Sequence, residues 1–137
     1  MLLRQDSEGV IAISQPAHAW VAGQLARNWR QDDFVGVREE VCLAAEQHDL
    51  GFLAWEQAPT LNANTRLPCT FLEMPRAMHL GLWTAGIQAM LQFGRYPALL
   101  VSKHFAGLAQ HAGLAGTKEE QRLTVEFLER QEAFQPA

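Results

Sequence analysis

Apolar residues recur with two different periods along the chain. The first fourteen residues read as a hairpin, with Met1–Arg4 and Val10–Ser14 as strands and Asp6-Ser7-Glu8-Gly9 as the turn. From Pro16 the period becomes helical. A first helix is predicted from Pro16 to about Trp29, with Ser14 or Gln15 near its cap and proline in the first turn. A polar turn at 30–36 leads to a second helix over Val37–His48, ended or bent by Asp49-Leu50-Gly51, and Phe52–Glu56 adds a short helical turn. Residues 58–75, rich in Pro, Asn and Thr, form a long irregular loop of the kind that carries function. Three more helices follow: Pro75–Phe93, Pro97 to about His111, and Glu119 to about Ala133, the last preceded by a capping box of Thr117 and Glu120. The expected fold is all-α, a single domain over 1–137 built as a bundle of about five helices behind a small N-terminal β-hairpin.

Composition agrees with one folded domain. The 137 residues are 48% hydrophobic and 19% charged, which excludes intrinsic disorder. Fifteen acidic against eleven basic residues, net charge −4, argue against nucleic acid or an anionic membrane as partner. The uncharged stretch Ala77–Gly94 contains His79, Gln88, Gln92 and three glycines, so a helix buried in a core is expected rather than a membrane span. Cys42 and Cys69 have neither CxxC nor zinc-like spacing and read as reduced thiols, and the N-terminus has no signal core. A cytoplasmic location is expected, with oligomeric state left open.

Histidines change the picture. At 100° per residue, His18 falls amid Val21, Ala22, Leu25 and Trp29, and His48 amid Val37, Val41, Ala44 and Ala45. His104 lies between Leu100, Val101 and Leu108, with His111 further along the same face. Three helices would thus each point an imidazole at the core. Any one of them is explained by a hydrogen bond to a buried carbonyl or carboxylate. One shared metal would satisfy all three together, and Asp49 adds an anionic ligand beside His48. Such a His/Asp set suits Zn, Mn, Fe or Ni better than calcium. His79, at the edge of its apolar arc, reads as structural, and His111 as a helix C-terminal group. Trp20, Trp29, Trp55, Trp83, Phe52 and Phe71 read as core packing, with a base-stacking pocket as the alternative. There is no GxGxxG, Walker loop, HExxH or GxSxG motif.

A histidine in Gln15-Pro16-Ala17-His18, followed about thirty residues later by Glu46-Gln47-His48-Asp49-Leu50-Gly51 ending a second helix, resembles the HD-domain superfamily. That resemblance implies a helical, metal-dependent phosphohydrolase with His18, His48 and Asp49 as metal ligands, acting on a nucleotide or other small phosphorylated molecule. More narrowly, Arg38-Glu39-Glu40-Val41-Cys42-Leu43-Ala44-Ala45 through Gly51, with Trp55-Glu56 and Pro59, looks like an uncharacterised bacterial family over the chain up to about Leu108. Members of that family are generally longer, which implies a short or truncated member here. The superfamily pattern ends in an aspartate on a later helix. Here aspartates stand only at 6, 32, 33 and 49, and His104 is the best substitute. In a hydrolase the ion would activate water, Lys103 and Arg66 would be the cations for phosphate oxygens, and Glu56 would be either a base or a solvated carboxylate. The alternative is a noncatalytic HD-like domain that binds a ligand or protein partner through the 58–75 loop.

Overall fold

The computed structural model of the chain describes residues 1–29, 36–112 and 115–134. The turn expected at 30–36 therefore lies, up to residue 35, outside the described residues. Strands β1 (Leu2–Gln5) and β2 (Val10–Ile13) pair antiparallel, with Leu2 opposite Ile13 and Gln5 opposite Val10. The turn is held by Asp6, whose Oδ1 accepts from the Glu8 and Gly9 amides at 2.9 and 3.1 Å.

Helix α1 spans Gln15–Asn28, and the Ser14 hydroxyl caps it by accepting from the Ala17 N–H at 3.1 Å. Helix α2 (Glu39–Gln47) carries Glu39 and Glu40 in its first turn, where acidic groups complement the helix dipole. A 3₁₀ turn over Leu50–Phe52 and the four-residue α3 (Leu53–Glu56) follow. The segment 58–75 is a loop with internal order. It has an isolated antiparallel bridge between Leu61 and Pro68 and a 3₁₀ turn over Phe71–Glu73 capped by Thr70 and Glu73. Then come α4 (Arg76–Met90), α5 (Arg95–Ala112) and α6 (Lys118–Phe134). The all-α class, the hairpin and the Thr117–Glu120 capping box stand as expected. No helix of the described residues is long and apolar enough to cross a membrane.

The core lies between α4, α5 and α6 and the 3₁₀ turn. Trp83 stacks on Phe105 with ring centroids 4.9 Å apart, and Phe52, Ile87, Met90, Val101 and Phe127 close around them. Two glycines permit the closest approach. A Cβ on Gly51 would meet the Leu82 carbonyl oxygen at 2.1 Å, and Gly86 faces it from α4. The turn after Asp49 therefore rests backbone to backbone on α4.

Helix α1 corrects one expectation. Its stripe of Val21, Leu25 and Trp29 does not face the core: Leu25 is 64% exposed, Trp29 65% and neighbouring Trp20 56%. The buried face is the small one, Gln15, Ala19 and Gly23, and a Cβ on Gly23 would come within 2.5 Å of the Glu46 Cβ. Small residues let α1 lie closely on α2, and Arg27 secures it by pairing with Glu39 at 2.8 Å and with Glu46. Of the six aromatics read as core, Trp83 and Phe52 are buried, Trp55 and Phe71 are partly buried, and Trp20 and Trp29 are outside it.

Candidate metal centre

The α1–α2 contact sets His18, in the first turn of α1, beside the end of α2. His48 is the C-cap of α2 and still helical (φ −57°, ψ −30°). Asp49 then leaves the helix at φ −96°, ψ 16°, the bridge conformation frequent at functional sites. This change of direction turns a buried carboxylate, 3% exposed, back toward both imidazoles.

One oxygen collects the contacts. Asp49 Oδ2 lies 3.1 Å from His18 Nδ1, 3.3 Å from His48 Nε2 and 3.3 Å from the Gln15 amide nitrogen, which donates to it. Each ring is also tied to its own helix. His48 Nδ1 is 2.7 Å from the Ala45 carbonyl, so that nitrogen donates, and Nε2 is the atom turned to Asp49. His18 Nδ1 faces two acceptors, the Gln15 carbonyl at 3.0 Å and Asp49, which leaves Nε2 free for coordination. One ligand atom from each of His18, His48 and Asp49 falls within 4.8 Å of the others. Atoms bound to one transition metal at about 2.1 Å sit about 3.0–3.4 Å apart, and the His48–Asp49 spacing already lies in that range. Anchoring of the second ring nitrogen by a backbone carbonyl is the usual support of a metal-binding histidine.

Burial pushes the Asp49 carboxyl above the usual carboxylate range; His48 and His18 oppose this shift and Glu56 adds to it. A bound cation would offset that desolvation. The buried Gln15 Oε1 has no hydrogen-bond partner among the described residues.

The rings run on into a cavity. His48 meets His18 edge-on at 5.2 Å between centroids and His104 at 5.0 Å. His104 thus borders the cluster from α5 but stands outside the converging set of three. Its side chain lines the cavity, partly open to solvent and partly packed on His48 and Phe105, and is not directed into the closed core. Desolvation, with His48 and His18 nearby, lowers its pKa to about 4, so it is a neutral imidazole at pH 7. The cavity holds about 620 Å³. Its walls include Phe52, Phe71, Met74, Trp83, Phe105 and Leu108, and Phe71, Leu72, Met74 and Pro75 bring the end of the 58–75 segment to it.

The weaker sequence candidates sit elsewhere. Lys103 and Arg66 are exposed and neither lines the cavity. Glu56 is neither solvated nor placed as a base. It pairs with the Met1 ammonium at 2.7 Å and accepts from the Gln15 N–H at 3.0 and 3.1 Å, its side chain 5% exposed. Its role is to hold the start of α1. The cation lining the cavity is Arg76, a residue the sequence reasoning passed over, although Arg76, His79 and Trp83 share one face of α4 at i, i+3 and i+7. Gln15 was missed too, because a glutamine before a proline reads only as a cap. His79 is indeed structural, packed at 4.5 Å on Trp83 and edge-on to Phe52 and Phe71, while also lining the cavity.

No curated protein and no solved structure matches the chain. None of the comparisons connects it to the HD-domain superfamily. The likeness to an uncharacterised family has a wider basis than the expected extent to Leu108. The family described as "Protein of unknown function (DUF3891)" matches residues 1–137, and the chain belongs to that family.

Proposed function

We propose that His18, His48 and Asp49 hold a divalent transition metal, Mn, Fe, Ni or Zn, and that the chain is an HD-like hydrolase of a small phosphorylated molecule bound in the adjoining cavity. The observation that carries the reading is the convergence of the three ligand atoms, from α1 and the end of α2, at the cavity wall. Two imidazoles and one carboxylate fit such an ion better than calcium. A bound ion would supply Lewis acidity and lower the pKa of water. The chain's own residues would do the rest. Gln15 orients Asp49 through its amide, the Ala45 and Gln15 carbonyls orient the two rings, and Arg76 offers a cation for phosphate oxygens. His104, neutral at pH 7, borders the site as a fourth nitrogen. The cysteines are both free, which supports a reducing, cytoplasmic setting.

A second reading has its own support. No aspartate follows Asp49, and much of the cavity wall is apolar, as in a noncatalytic binding domain. Elemental analysis of protein purified without an affinity tag tests the metal. Close to one ion per chain is expected, falling at least ~tenfold in His48→Ala; substoichiometric metal unchanged by that substitution would overturn the assignment. Turnover of bis(p-nitrophenyl) phosphate or nucleotides with Mn or Ni, abolished in Asp49→Asn, supports the hydrolase. Bound metal without turnover supports the binding domain.

A further inference from the structure

Arg76 is the cation of a cavity that is otherwise mostly apolar. It is partly buried at the start of α4, and among the described residues its guanidinium donates only to Thr124 Oγ1, at 3.3 Å. Among the described residues it forms no ion pair, although the chain's other internal pairs, such as Arg27 with Glu39 and Glu46, are made. Glu120 lines the same cavity, but its Oε2 already accepts from the Thr117 N–H at 2.8 Å and the Thr117 hydroxyl at 3.0 Å. Arg76 acts on the Glu120 carboxylate through space without an ion-pair contact, so its guanidinium keeps hydrogen-bonding capacity for an anion from outside.

The remaining surface decides what the anion is attached to. Trp83, Phe71, Phe105 and Leu108 present rings and methyl groups, and His79 is stacked among the rings. A nucleobase and a ribose each require donors and acceptors aimed at their edges. The one side-chain amide lining the cavity among the described residues, Gln15, has its nitrogen committed to Asp49, which leaves a single buried acceptor, Oε1, and no amide donor. Apart from the histidines and the acids, the described lining offers no hydroxyl or further amide.

We propose that the cavity takes an organic phosphate with an apolar, aromatic body in preference to a nucleotide, with Arg76 pairing to a phosphate oxygen. This rests on the cavity's role as the substrate site given above, and sharpens it to a class of ligand.

Calorimetric titration of the full chain, as purified and again after chelation, tests the proposal with 1-naphthyl phosphate, 1-naphthol and AMP as probes. The expected result is 1-naphthyl phosphate binding at least ~tenfold tighter than AMP. In Arg76→Gln, 1-naphthyl phosphate should weaken ~tenfold or more while 1-naphthol stays within about twofold, and Arg76→Lys should recover part of the loss. Leu108→Ser, on an exposed residue of the wall, should weaken both naphthyl probes alike. AMP binding as tightly as 1-naphthyl phosphate, no measurable binding of either, or an Arg76→Gln protein with unaltered affinity would each overturn the proposal. Absence of metal by elemental analysis, with the Arg76-dependent preference intact, would remove the metal assignment alone.

Discussion

His79 shows how one residue can serve both packing and the site. Burial first, then Arg76 and the N-terminal ammonium, lower its pKa from 6.5 to about 4, so the folded chain binds its proton less readily than the unfolded chain does. Stability from this group is complete above about pH 6.5 and is lost as pH falls toward 4. The loss should stay below ~3 kcal/mol, because the cavity is open to solvent and screens the charge. Thermal melts across that window should show a shallower acid loss of Tm in His79→Gln than in wild type. An identical slope would mean that the imidazole protonates without penalty. Asp49 works differently, since three nitrogens meet one of its oxygens, and its task is set by those neighbours.

At the scale of the element, the site depends on where backbone can touch backbone. Gly51 lies two residues after Asp49 and directly against α4, and its missing Cβ is what lets the 3₁₀ turn form there. Gly51→Ala would force a contact with the Leu82 carbonyl and should destabilise the chain by ~3 kcal/mol while loosening the His48–Asp49 corner. Gly107, inside α5 with no atom within 4 Å of an added Cβ, provides the contrast. Gly107→Ala should stabilise by up to about 1 kcal/mol, from helix propensity alone. Urea unfolding of the two variants beside wild type measures both signs. A harmless Gly51→Ala would show that α4 is not held by this contact.

At the scale of the whole molecule, the core is displaced from where hydropathy alone puts it. It sits under α4, α5 and α6, and α1 joins the bundle through small residues, turning Trp20, Leu25 and Trp29 outward. Leu25→Glu should therefore change the unfolding free energy by no more than ~0.5 kcal/mol. Phe105→Ala, at a residue 1% exposed, should cost about 3–5 kcal/mol. Equal and large effects, read by chemical denaturation, would return the α1 stripe to the core.

What was legible in the chain was local. The hairpin follows from a turn of Asp6 to Gly9, the helices from apolar period, prolines and caps, and the pairing of Thr117 with Glu120 from a spacing of three. These are interactions between residues near in sequence, so their signals are in the order of residues. His18, His48 and Asp49 could be picked out for the same reason, as polar residues on apolar faces or at a helix end. Which faces meet was not legible. Periodicity ranks the faces of a helix by hydropathy, whereas packing selects them by shape, and in α1 the narrow Ala19–Gly23 face prevailed over the wider apolar stripe. Only the tertiary structure decided that the side chains of His18, His48 and Asp49 converge, that Glu56 holds the start of α1, and that Arg76, not Lys103 or Arg66, reaches the cavity. Each of these outcomes joins residues far apart in the chain, and the distance between such residues is settled by the packing of whole helices.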